Sequence, residues 1–115
     1  MALGVVPSRW SISVDPTVRK FLLFHNKNIH VYERFVDLSF KLQAAGFKKY
    51  SSRTIIAVLR FEWDVNTSGQ SVELVNGSHL HVKLNNDHAA FYSRLFMENY
   101  PAFKGFYNKR RSVAD

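Results

Sequence analysis

The sequence predicts an α+β fold, mainly helical and winged-helix-like: three helices, a β-hairpin and a C-terminal helix. Three observations predict it. Apolar residues recur at helical spacing between Val31 and Ala45 and again between Ser52 and Trp63. The period changes to two between Val72 and Leu84. Asn76-Gly77 lies between the two alternating runs and is a strong hairpin dipeptide. The 115 residues divide into a flexible or extended arm over 1–14, one winged-helix-like domain over 15–107, and a basic tail over 108–115.

In the arm, Ile12 and Val14 alternate with Ser11 and Ser13, as in a short edge strand. Asp15-Pro16 starts the first helix, because Asp is a good N-cap and Pro suits the first helical position. This helix runs to about His25 and buries Val18, Phe21 and Leu22, and Asn26-Lys27-Asn28 breaks it. In the second helix Val31, Phe35, Leu38, Leu42 and Ala45 fall on one stripe, widened by Tyr32, Val36 and Ser39. Gly46 is the residue past its end. Glu33, Arg34, Asp37 and Lys41 fall on its outer face as ordinary surface charge. Ser51 or Ser52 caps the third helix, which runs to about Asp64 with Ile55, Ile56, Leu59 and Trp63 inward and Arg53, Ala57, Arg60 and Asp64 opposite. In the hairpin, an odd loop such as Asn76-Gly77-Ser78 pairs Leu74 with Leu80 and Val72 with Val82, all inward; a slip of one residue would mix apolar with polar. Val75, His79, His81 and Lys83 then face outward. Asn86 or Asp87 caps the last long helix, His88 to Tyr100, stopped by Pro101. Phe91, Tyr92, Leu95, Phe96 and Asn99 mark its inner side, and Phe103, Phe106 and Tyr107 form a short turn packing back on the core.

Composition narrows the function. The chain carries 16 Lys+Arg against 9 Asp+Glu, a formal net charge of +7, and no cysteine. Zero cysteine excludes a disulfide framework, a thiolate nucleophile and a zinc–cysteine site. With 46% apolar and 15% aromatic residues, the chain is too hydrophobic for disorder. Apolar runs such as Phe21-Leu22-Leu23-Phe24 are far short of the ~20 residues that span a bilayer, so no membrane partner is expected. Met1 to Trp10 lacks the basic start and apolar length of a signal peptide, and an intracellular, cytoplasmic location is expected.

The positive surplus is unevenly placed. Between Lys41 and Phe61 lie Lys41, Lys48, Lys49, Arg53 and Arg60 with no acid, and after Asn99 come Lys104, Lys109, Arg110 and Arg111 with no acid until Asp115. In Lys48-Lys49-Tyr50-Ser51-Ser52-Arg53, cations, hydroxyls and helix N-terminal amides can converge on a phosphate. A winged helix would contact phosphates through Lys48, Lys49 and Ser52, bring Arg53 and Arg60 near the groove, and add His79, His81 and Lys83 from the wing and Lys109, Arg110 and Arg111 from the tail. Glu62 and Asp64, at the end of that helix, would repel phosphate; an ion pair with Arg60 is the expected use of either. A second arrangement makes 86–100 the reading helix, with Asn85, Asn86, His88 and Arg94 at the bases, since Asn can bond adenine and Arg guanine bidentately. A cap and turn is the other reading of Asn85-Asn86-Asp87. Tyr50, Tyr92, Tyr100 and Tyr107 could stack on bases; in so aromatic a chain most are expected in the core.

The chain also resembles a family of small proteins from phage and prophage genomes. The matching strings are Val31-Tyr32, Gly46, Lys49-Tyr50, Val58-Leu59-Arg60-Phe61-Glu62, Lys83-Leu84-Asn85-Asn86, Phe91-Tyr92-Ser93-Arg94-Leu95 and Pro101-Ala102-Phe103-Lys104-Gly105-Phe106. The resemblance covers about residues 21–111. Ile29 stands where the family usually has Pro, and the hairpin is longer than usual. It implies a phage- or prophage-encoded protein acting in a bacterial cytoplasm and carries no established activity.

No phosphate-binding glycine loop, His-Glu-x-x-His or Gly-x-Ser-x-Gly occurs, and no cofactor or metal is expected. His79, His81 and His88 are the one candidate metal set. A hairpin followed by a helix also resembles the ββα-metal nucleases, but these keep a general-base His at the end of the first strand, and Val72-Glu73-Leu74-Val75 has none. The leading expectation is therefore a non-enzymatic DNA-binding protein, in which a palindromic duplex site would imply a homodimer. The alternative is a phage protein that binds and inhibits or redirects a host protein or ribonucleoprotein, with +7 arguing against DNA mimicry; a metal-dependent nuclease is the third.

Overall fold

The computed structural model describes residues 5–67, 72–73, 79–80, 84 and 87–107. In chain order they form α1 (Ser8–Ser11), α2 (Pro16–Lys27), α3 (Ile29–Ala44), α4 (Ser52–Thr67), β1 (Val72–Glu73), β2 (His79–Leu80), α5 (His88–Asn99) and a 3-10 turn, Pro101–Phe103.

The helix boundaries follow local chemistry. Asp15 accepts from the Thr17 N–H at 2.8 Å and Pro16 occupies the first helical position of α2. Asn28 breaks the chain between α2 and α3, its side-chain amide donating to the Phe24 C=O at 2.9 Å. Gly46 ends α3 in a left-handed conformation (φ 99°). Its N–H donates to the Gln43 C=O, and that of Phe47 to the Leu42 C=O, the paired bonds of a Schellman turn.

α5 is the centre of the fold. Its residues His88, Ala89 and Phe91–Phe96 are buried, and it packs on α3, α4 and the 3-10 turn. Phe21 of α2 stacks on Phe91 at 4.6 Å, and Trp10 of α1 stands edge-on to both. Tyr92 stacks on Phe35 and Tyr32 of α3. Each such ring, once buried, contributes roughly 1.5–3 kcal/mol. The expected inner faces are found in Val18 and Phe21, in Val31 and Phe35, in Ile55, Ile56 and Leu59, and in Phe91, Tyr92, Leu95, Phe96, Phe103, Phe106 and Tyr107.

The α+β, winged-helix-like class is overturned. The fold is helical, with no wing and no β-layer among the described residues. The strand pairing there is two residues long, Val72 opposite Leu80 and Glu73 opposite His79. Leu80 therefore faces Val72 rather than the expected Leu74, two residues out of the predicted register; Leu74–Ser78 and His81–Lys83 lie outside the described residues. Among the described residues the helices share one aromatic core, and a pair of two-residue strands is too short to form a layer on it. The arm differs as well: residues 8–11 form a helical turn rather than an edge strand, because Trp10 is drawn onto Phe21 and Phe91.

Candidate nucleic-acid interface

The two acid-free segments meet. The Tyr50 N–H donates to the Phe106 C=O at 3.0 Å, and Tyr50 and Tyr107 form a parallel bridge. Tyr107 is fixed from below. Its hydroxyl lies 2.5 Å from Ser39 Oγ. Ser39 spends its own proton on the Phe35 C=O at 2.8 Å, so Tyr107 is the donor to Ser39. Burial pushes the Tyr107 hydroxyl pKa up to about 12, so it stays a donor at neutral pH. Phe103 and Phe106 pack beside it. Gly105 (φ 82°) then carries the turn that leaves Lys104 at the surface.

Four cations lie in the two segments that this junction joins. Lys48 and Lys49 follow the Gly46 turn, Arg53 sits in the first turn of α4, and Lys104 enters from the other segment; all four are exposed. None makes an ion pair among the described residues. The first turn of α4 holds no acid, and the Ser51 C=O accepts from the Thr54 and Ile55 N–H groups. Ser52 is half-buried there. Phe47, 48% exposed, stands edge-on to Tyr50 at 5.3 Å and 82°.

The other predicted contacts fare differently. Arg60 is exposed, two turns further along α4. Arg94 is a correction: it is 5% exposed, with a guanidinium N–H donating to Ser93 Oγ at 3.3 Å, and it cannot reach a partner's bases. His79 is described only in its backbone. His81, Lys83, Asn86, Lys109, Arg110 and Arg111 lie outside the described residues. Lys104 and Phe47 were missed as site residues. The signal for Lys104 was its place in the acid-free C-terminal segment; for Phe47 it was an aromatic residue directly before two lysines.

Neither helix suits a groove-reading role. The outward face of α4 is mixed, with Val58, Phe61 and Val65 at 40%, 70% and 62% exposure among exposed Arg53, Thr54, Ala57, Arg60 and Asp64. The helix after Asp87 is the most buried in the fold. His88 is buried against Phe21 and Phe24, and burial lowers its pKa to about 4, so it is neutral at pH 7 rather than a cation facing an anion. Tyr92 and Tyr107 are core residues and offer no face for stacking.

Glu62 does not stand free to repel phosphate. Arg34 of α3 holds it with two bonds, Nε to Oε1 at 3.2 Å and Nη2 to Oε2 at 3.1 Å, and reaches Asp37 at 2.6 Å; Lys41 adds a contact to Asp37 at 3.3 Å. These carboxylates raise the Arg34 pKa further, the Glu62 hydrogen bond being the largest cause. Beside this network is a cleft of about 560 Å³ between α3 and α4, lined by His30, Arg34, Phe61, Trp63 and Val65 among others.

Among the described residues no group of three or more His, Cys, Asp or Glu could hold a metal. No helix there is long and apolar enough to cross a membrane. No known family, curated protein or solved structure matches the chain.

Proposed function

We propose that this protein binds nucleic acid without catalysing a reaction on it, through the basic end formed by Lys48, Lys49, Arg53 and Lys104. The supporting observation is the Tyr50–Phe106 backbone bond, which joins two sequence-distant, acid-free segments that carry these cations. In the sequence, Lys109, Arg110 and Arg111 follow Tyr107 with no acid between them. Unpaired exposed cations are the groups that phosphates recruit, with release of counterions. The contacts would be chiefly to the phosphate backbone, because three of the four cations are lysines, whose ammonium groups act as point charges on phosphate. The resemblance of residues 21–111 supports a phage or prophage origin and action in the bacterial cytoplasm.

Fluorescence anisotropy with labelled duplex and single-stranded oligonucleotides across a salt series tests this. Binding is expected at ~50 mM salt and should weaken steeply as salt rises. Absence of binding to every oligonucleotide at that salt overturns the reading.

A second reading, in which the partner is a host protein, is favoured by the exposed Val58–Phe61–Val65 stripe, since interface cores are enriched in aromatic residues. It requires a nuclease-resistant stoichiometric complex that Phe61→Asp abolishes and that Lys48→Glu leaves intact.

A further inference from the structure

Resting on the nucleic-acid reading, we propose that the basic end selects single-stranded over duplex nucleic acid, taking an unpaired base on the ring of Phe47.

Three observations point there. First, Phe47 lies outside the hydrophobic core, whereas Tyr50, three residues on, packs against it. A half-exposed phenyl ring is unfavourable in water, and here it sits directly before Lys48 and Lys49. Second, the ring is held. Gly46 and the Schellman bonds fix its backbone, and Tyr50 meets it at a right angle (82°). Tyr50 is itself tied to Phe106. A ring supported edge-on is pre-organised to take a planar partner on its face at little entropic cost. Third, the surrounding charge matches the ligand. Lys48 and Lys49 follow Phe47 directly in the chain, Arg53 is three residues past Tyr50, and Lys104 is two residues before Phe106, to which Tyr50 is bonded; none has a carboxylate partner among the described residues. Aromatic rings set among backbone-tracking cations are how single strands are bound without reading sequence. In a duplex the bases are stacked on each other and their faces are closed, so Phe47 adds nothing to duplex binding.

The test measures the affinities of oligothymidylate, oligouridylate and a mixed-sequence duplex of equal length for wild type, Phe47→Leu and Lys48→Ala/Lys49→Ala. Phe47→Leu keeps an apolar side chain and removes the aromatic face. It should lower affinity for one or both single strands by at least about fivefold, the lower end of one base stack, and leave the duplex unchanged. The two single strands show whether the site takes DNA, RNA or both. Lys48→Ala/Lys49→Ala should weaken all three ligands together. A second variant guards against misfolding: Phe47→Trp should keep binding, and its added fluorescence should be quenched by the single strands and not by the duplex. Equal loss on single strand and duplex, or no change on either single strand with the fold intact, overturns the base-stacking site while the phosphate-binding reading stands. Failure of wild type to bind any of the three overturns both.

Discussion

Arg34 and Lys48 are both surface cations of the same small fold, yet only one has its charge answered internally. On the α3–α4 side, Arg34 grips Glu62 and Asp37, and Lys41 reaches Asp37. That side is close to neutral, and its conspicuous groups are apolar: Val58, Phe61 and Val65. At the basic end Lys48, Lys49, Arg53 and Lys104 have no carboxylate nearby in sequence and form no ion pair among the described residues. Charge that is paired inside the molecule orients helices; charge left unpaired is available to a partner. The total of +7 does not distinguish the two, and the placement does.

The sharpest way to break this contrast is to reverse the unpaired set. Lys48→Glu, Lys49→Glu and Lys104→Glu together should reduce nucleic-acid affinity by more than roughly a hundredfold at low salt. Thermal stability should change little, because these side chains support no packing; a binding isotherm and a melting curve on the same sample check both. Acid breaks the contrast by another route, since it leaves the lysines charged and loads the core. His88 is held neutral, its pKa lowered from 6.5 to about 4. The folded state therefore resists a proton that the unfolded chain accepts. Stability from this group is complete above about pH 6.5 and is lost as pH falls towards 4, by at most about 3 kcal/mol. Denaturant melts between pH 7 and 4 should show that fall, and His88→Leu should flatten it.

Tyr107→Phe sharpens the contrast without touching any charge. It removes the hydroxyl that anchors the junction of the two segments on Ser39. The expected cost is about 1 kcal/mol of stability, with affinity falling by a few fold as the segments loosen. The smallest effect belongs to the paired side. Arg34→Ala should cost no more than about 1 kcal/mol, because its partners are partly solvated, and it should leave nucleic-acid affinity within twofold.

Much of this was legible in the sequence. Helix starts and stops could be read from Asp15-Pro16, Gly46 and Pro101, and inner faces from the spacing of Val31, Phe35, Ile55, Ile56, Phe91 and Leu95, because capping and periodicity are local. The wing was not legible, because alternation from Val72 to Leu84 records only that a strand would be amphipathic. Trp10 was lost in a segment with no period of its own; only the tertiary pocket of Phe21 and Phe91 orders it. At the site, Lys48, Lys49 and Arg53 could be read as unpaired because no acid lies near them in sequence. Arg94 could not be excluded, since Tyr-x-Arg on a helix does not say which face is buried. The Arg34–Glu62 pair spans two helices, so no local pattern announces it.

The central claim is that the two acid-free segments act as one surface. It is tested most directly by the slope of log K against log salt for single-stranded oligonucleotide. Three variants are compared with wild type: Lys48→Ala/Lys49→Ala from one segment, Lys104→Ala from the other, and Lys20→Ala/Lys27→Ala on α2, where the lysines are equally exposed. Each phosphate contact removed should lower the slope by roughly one. Reductions for Lys48/Lys49 and for Lys104 that add when combined, with the α2 variant unchanged, are the predicted result. An equal reduction from the α2 variant, or none from Lys104, would contradict it.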